Sequence, residues 1–331
     1  MGEPEKEPGK WLRIVTIEGL IFNPRAVSII HKKSNTPIQE TQMKKRGRPR
    51  KDQSLKSLTS LTPSEDIDFG ITDAQLLSDI QDRYQMMTKL GQGASKGSVR
   101  GMIVSGRPGV GKTFELERLL SERQERNPNT FRFEHLKGTV SPINLYKKLY
   151  DYGNRGNVLL IDDADDVFFD TSSLNLLKAA LDSSTTRRIG WHTESAALKD
   201  GGEQIYPNSF DYEGSIIFIT NVDFQSVIDD GKQKKIVPHL EALMSRSLYL
   251  DLKIHSLRAL SVWVGYIVQS KNILVNSFGL SKTQQSEAVK WMRDNAVGMR
   301  TFSIRDALKL GMMIKTDPDR WSDAAEMLLL R

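Results

Sequence analysis

Residues 106–113 read Gly-Arg-Pro-Gly-Val-Gly-Lys-Thr, and no other stretch of the chain restricts its fold so tightly. Glycine stands at the first and sixth places of this eight-residue pattern, followed by lysine and threonine. Each position has a physical reason. The glycines let the backbone turn so that several N–H groups point at one anion. A helix opening at Lys112 adds its positive end. Lys112 supplies a point charge for β- and γ-phosphate oxygens, and the Thr113 hydroxyl is a ligand for Mg²⁺. Gly106, Arg107, Pro108, Gly109, Val110, Gly111, Lys112 and Thr113 are therefore expected to cradle the phosphates of ATP. The apolar run 101–105 before the loop reads as a strand, and 112–126 after it as a helix, the context such a loop requires. The second glycine-rich stretch, 91–97, follows no strand and reads as a flexible linker.

Around the loop, apolar runs alternate with helical patterns. Residues 73–90 have helical spacing with Thr72 as N-cap. Strands are expected at 101–105, 131–136, 158–161, 215–220 and 247–252, with helices at 112–126, 142–150 and 174–181. Strands separated by helices imply an α/β fold, a P-loop NTPase parallel sheet with helices on both faces. From about residue 255 strands vanish, and 256–278, 282–295, 303–315 and 321–330 read as helices, a small all-α domain. The 331 residues thus divide into an arm at 1–71, an α/β domain at 72–253 and a helical domain at 254–331. The arm is expected to be largely disordered, since 35–62 is rich in Ser, Thr, Gln, Lys and Pro; 11–30 has some strand character.

The apolar run 158–161 ends in Asp162 and Asp163. Two carboxylates closing a buried strand are costly unless a cation sits there. Mg²⁺ answers that need, with Asp162 holding it beside Thr113 and Asp163 placed to polarise an attacking water. The interval from Lys112 leaves room for one helix–strand–helix excursion before a neighbouring strand. Asp165 and Asp166 are expected to cap or face solvent, since one metal needs few carboxylates.

With these motifs in place, residues 72–331 resemble an AAA+ ATPase. Two further stations follow in that family's order. The apolar strand 216–220 ends at Asn221, which resembles sensor 1; the resemblance gives Asn221, with Thr220 the weaker candidate, contact with the γ-phosphate or the water. Leu243-Met-Ser-Arg-Ser resembles the segment of clamp-loader-like members whose arginine reaches a neighbour's ATP, so Arg246 is the implied finger. The helical tail resembles the family's lid, and Phe302-Ser-Ile-Arg305 resembles its sensor 2, with Arg300 as rival to Arg305. The pair Asp-Asp departs from the commoner Asp-Glu and is familiar among helicase loaders and replication initiators. Residues 183–214 form a longer segment than usual before sensor 1, with Arg187, Arg188, Trp191, His192 and Lys199. In some members a hairpin here lines a pore and grips nucleic acid; a solvated loop is the plainer alternative. The wording of the core resembles that of small AAA+ proteins carried by bacteriophages.

The net charge of +6 says little until it is located. Six of the eight residues 44–51 are basic: Lys44, Lys45, Arg46, Arg48, Arg50 and Lys51. Arg46-Gly47-Arg48-Pro49 resembles the core of an AT-hook. Gly47 and Pro49 keep the backbone thin, so that the arginines can lie in a narrow A·T minor groove. Lys45, Arg46, Gly47, Arg48, Pro49 and Arg50 are the expected DNA contacts; a solubilising or localisation tail is the alternative. No cysteine is present, which excludes disulfides and thiolate metal sites. No apolar run reaches about 18 residues, so no membrane span is expected.

Together these readings predict an oligomeric AAA+ ATPase using ATP and Mg²⁺ to load, remodel or move something on DNA. A helicase or other replication protein is the implied partner, and a cytoplasmic location follows, in the host if the chain is phage-encoded. Two alternatives stand beside this. One is a slowly hydrolysing ATP-gated switch; the other is a protein-remodelling ATPase, for which 138–142 makes a poor pore loop.

Overall fold

A computed structural model describes residues 70–193, 195–200, 203–232 and 234–331. The expected DNA contacts Lys45, Arg46, Gly47, Arg48, Pro49 and Arg50 lie outside the described residues.

The chain enters through helix α1 (Asp73–Ser95), fastened by a reciprocal box in which the Thr72 side chain accepts the Gln75 N–H and the Gln75 side chain accepts the Thr72 N–H. The helix runs through most of the stretch expected as a linker, and the reason is packing. At Gly91 a Cβ would come 2.9 Å from Leu116 Cδ2, and at Gly93 2.7 Å from Val99 Cγ2. Both glycines are there for close approach, which here outweighs their poor helix propensity.

Strands and helices then alternate: β1 (Gly101–Ser105), α2 (Lys112–Arg126), β2 (Phe133–Lys137), α3 (Pro142–Asp151), β3 (Val158–Asp162) and α4 (Thr171–Ala180). Short strands follow, β4 (Arg188–Gly190), β5 (Lys199–Asp200), β6 (Glu203–Gln204) and β7 (Ser209–Asp211). The core resumes with β8 (Ser215–Thr220), α5 (Phe224–Asp230), α6 (Val237–Arg246) and β9 (Leu248–Asp251).

The main sheet has five strands in the order β2-β3-β8-β1-β9, every pair parallel. Asp162 therefore does not end a strand beside β1, as its spacing suggested. The strand β8 lies between, and so Asn221 leaves the sheet between the loop and the acidic pair. Parallel order brings the carboxyl ends of β1, β3 and β8 to one edge, where Ser105, Thr220 and Asp162 mark the exit points.

Burial on both faces explains the unbroken apolar strands. Met102, Val104, Leu160, Ile217 and Ile219 face the side covered by α1, α2 and the tail. Ile103, Leu159, Ile161, Ile216 and Phe218 face the side covered by α3, α4, α5 and α6. Each fully buried aliphatic side chain contributes roughly 1.5–3 kcal/mol, so these two layers dominate the stability of the domain.

The 183–214 segment is neither a plain loop nor unstructured. β4 pairs antiparallel with β7, and β5 with β6. Tyr146 anchors this hairpin to α3 by donating to Pro207 O at 2.6 Å.

The tail is helical: α7 (Leu257–Ser270), α8 (Ile273–Phe278), α9 (Lys282–Asp294), α10 (Ile304–Thr316) and α11 (Trp321–Leu329). The expected helix 256–278 is broken at Asn272, which takes φ 48°. Tail residues Trp263, Val264 and Leu310 share one apolar cluster with α1 and the sheet. No helix among the described residues is long and apolar enough to cross a membrane.

Candidate functional site

The glycine loop leaves β1 and rejoins regular structure at Lys112. Gly109 and Gly111 take φ of 73° and 100°, a region that L side chains rarely enter. A Cβ on Gly109 would also stand 2.7 Å from Ser303 Cβ, so space as well as conformation demands glycine there. The Gly106 N–H donates to Thr220 O, tying the start of the loop to β8.

Lys112 opens α2 and is only 4% exposed. Its ammonium donates to the carbonyls of Gly106 and Arg107, the latter at 2.9 Å, and to Asn221 Oδ1 at 3.1 Å. All three are neutral acceptors. Burial lowers its pKa to about 8, against the opposing pull of Asp162, Asp163 and Asp165. A charge held this way is poorly compensated and suited to an anionic ligand.

Thr113 donates its hydroxyl to Asp162 Oδ2 at 2.9 Å. Asp162 is 3% exposed, and His135 Nε2 lies 3.2 Å from the same oxygen. Burial on its own would raise the Asp162 pKa. The hydrogen bonds from His135 and Thr113 outweigh it and hold the carboxyl below the usual range. His135 in turn places Nδ1 3.2 Å from Glu117 Oε1 on α2.

Asp163 is exposed and takes φ 51°, a left-handed conformation uncommon for a side-chain-bearing residue. Its Oδ1 accepts from Asn221 Nδ2 at 3.3 Å. Asn221 thus bridges Lys112 and Asp163, and the five expected residues form two hydrogen-bonded groups side by side, Lys112–Asn221–Asp163 and Thr113–Asp162. The Thr220 hydroxyl donates to Asp165 Oδ1 at 2.6 Å. Asp165 therefore neither caps nor faces solvent freely; burial raises its pKa, and it links the ends of β3 and β8. Asp166 is exposed, as expected.

The arginines separate by position. Arg305 follows Ile304 at the start of α10, beside Gly109, and its charge acts on Lys112. Arg300 is directed elsewhere, its Nε donating to Leu330 O at 2.8 Å. Arg246 ends α6, where it donates to its own helix at Ala242 O and lies 3.8 Å from Asp182. It precedes β9, whose residue Leu248 pairs with Met102 and whose Asp251 pairs with Ser105. Arg246 therefore sits at the amino end of the sheet, opposite its own loop. Arg187 is buried, donating to Ala180 O at 2.9 Å and Gly214 O at 3.1 Å, so its charge is not offered to any surface ligand. Arg188 and His192 are exposed on the hairpin.

Sequence reasoning missed His135, Tyr84 and Trp263. The first had a signal, one histidine in a short strand that parallel pairing sets beside β3. The aromatic pair had none, because their contacts depend on how distant helices pack.

Fold and loop define a doubly covered parallel α/β protein with a glycine-rich strand–loop–helix at the carboxyl edge of its sheet. No protein-family model matches the chain. A protein of Enterobacteria phage T4, the uncharacterized 36.7 kDa protein in the nrdC-mobD intergenic region, is 37% identical over 246 residues. The match covers 74% of this chain and 73% of the phage protein, and the chain belongs to the family of that protein. Among solved structures, a DNA replication initiation factor superposes with TM-score 0.43 at 14% identity over 76% of this chain. C. elegans PCH-2 superposes with TM-score 0.34 at 12% identity over 73% of this chain. The chain spans 65% and 63% of those two chains, under two thirds of each. Likeness at that level says nothing of activity.

Proposed function

We propose that this chain is an AAA+-type ATPase that binds ATP with Mg²⁺ at the loop 106–113 and hydrolyses it while acting on DNA. The observation that supports this most is the hydrogen-bonded set Lys112–Asn221–Asp163 beside Thr113–Asp162, gathered around a glycine loop.

The residues fit Mg²⁺. Thr113 Oγ1 and Asp162 Oδ2 are two hard oxygen donors 2.9 Å apart, and Asp162 is kept ionised. So small a protein donor set suits a cation that completes its shell with water and substrate phosphate. The bound cation would neutralise charge on the phosphates. The chain's own groups supply the rest. Lys112 exchanges carbonyl partners for phosphate oxygens, which strengthens its hydrogen bonds by making both sides charged. Asp163 takes a proton from the attacking water, and Asn221, already bonded to it, orients that water. Arg305 reaches the phosphates from the tail. Arg246, remote from its own loop, acts on the site of a neighbouring copy in a homo-oligomer. The basic arm binds A·T-rich duplex DNA through Arg46 and Arg48, and a replication protein is the class of partner proposed.

The test is phosphate release by the full chain with and without duplex DNA, together with the mass of the ATP-bound assembly. Turnover that depends on Arg246 only in the assembled state supports the reading; a chain that binds no ATP sinks it. Changing Arg46 and Arg48 to alanine should weaken DNA binding and flatten its salt dependence.

A slowly hydrolysing ATP-gated switch is the second reading. The observation favouring it is Asp163, one methylene shorter than glutamate and held through Asn221. Tight ATP binding with negligible turnover, with or without DNA, would select it.

A further inference from the structure

Two side chains from outside the sheet converge on one carbonyl of the glycine loop. Tyr84, on α1, donates its hydroxyl to Val110 O at 2.6 Å. Trp263, on α7 and 2% exposed, donates Nε1–H to the same oxygen at 2.9 Å. Their rings stack with centroids 4.2 Å apart and planes inclined by 28°. One residue back, Gly109 O accepts the N–H of Ile304, the first residue of α10, at 2.9 Å. Both lone pairs of Val110 O are thus used.

A trans peptide is planar, and its C=O and the following N–H point in opposite directions. Holding Val110 O against Tyr84 and Trp263 therefore turns the Gly111 N–H the other way. Holding Gly109 O against Ile304 does the same for the Val110 N–H. We propose that Tyr84 and Trp263, with the Ile304 amide, are positioning residues that pre-set the N–H cradle of the loop for phosphate and couple it to the tail helices. The proposal rests on the nucleotide reading of this loop. It deepens that reading by naming what orders the cradle before ligand arrives: α1, which precedes the sheet in the chain, and α7, the first helix of the tail. A cradle held in this way binds phosphate without first having to be ordered, which is the source of preorganised affinity. Burial pushes the Tyr84 hydroxyl pKa well up, so it stays a donor throughout the neutral range.

The experiment measures calorimetric binding of Mg²⁺-ATP and of Mg²⁺-tripolyphosphate to the full chain, well below its unfolding midpoint. Tyr84→Phe removes one donor and keeps the ring stack; it should weaken both ligands about three- to tenfold, the worth of one buried hydrogen bond. Trp263→Phe should do the same. The double variant should lose more than the product of the two, because Val110 O is then buried with no donor. Equal losses for ATP and tripolyphosphate locate the effect at the phosphates. A pair serving packing alone would lower the unfolding midpoint and leave both affinities at the parent value, which overturns the proposal. If the parent binds ATP, Lys112→Ala does not, and Tyr84→Phe matches the parent, the proposal fails while the nucleotide reading stands. If the parent binds neither ligand, both fail. Should Trp263→Phe not fold, Tyr84→Phe decides the matter by itself.

Discussion

The two ends of the parallel sheet use charged side chains in opposite ways. At the amino end, arginines satisfy backbone carbonyls. Arg187 holds Ala180 O and Gly214 O, and Arg100 holds Asp182 O and Ser184 O. These bonds close the hairpin and the strand entries. At the carboxyl end the charges meet side chains and loop carbonyls instead, and the compensation is incomplete. Lys112 is buried among neutral acceptors, and Asp163 and Asp165 stand within reach of its field. One end is built for stability, and the other holds an electrostatic imbalance that a polyphosphate and a cation would resolve.

That contrast can be broken by variants whose effects fall on one property and not the other. The largest effect is expected from Asp163→Asn. Loss of a general base should lower ATP turnover by about a hundredfold or more, with ATP affinity kept, as read by phosphate release beside calorimetry. Lys112→Ala follows, with Mg²⁺-ATP affinity down by roughly a hundredfold through loss of charge-assisted bonds. Its stability in urea should be unchanged or higher, because burial already disfavours that charge. A drop in stability comparable with a core deletion would contradict that imbalance. At the other end, Arg187→Met should cost about 2 kcal/mol of unfolding free energy, since two buried carbonyls lose their donor. ATP affinity should not move; if it does, the two ends are coupled and the comparison fails.

The smallest effect concerns His255, at the carboxyl end near Arg107. Its Nε2 lies 3.0 Å from Asp251 Oδ2, and that hydrogen bond raises its pKa above the ordinary value. A raised folded pKa stabilises the protonated form. The gain is fully present below about pH 6.5 and is lost as pH climbs through the folded value. His255→Gln should flatten that dependence by no more than about 1 kcal/mol, seen in unfolding midpoints across the neutral range. A pH profile identical to the parent's would remove the pair from the account.

What the sequence determined alone was local. The loop 106–113 is legible because glycines at set places and a following helix are requirements of adjacent backbone. The strands ending at Ser105, Thr220 and Asp162 are legible because burial on both faces leaves unbroken apolar runs. Tertiary structure decided the rest. It inserted β8 between the loop strand and the acidic strand, kept α1 helical through Gly91 by packing against Leu116, and buried Arg187 where exposure was expected. It also distinguished Arg305 from Arg300, and it brought His135 to Asp162 and Tyr84 and Trp263 to Val110. These contacts join residues far apart in the chain. Their partners are chosen by strand order and by which helix faces meet, and a one-dimensional pattern of residue types carries neither.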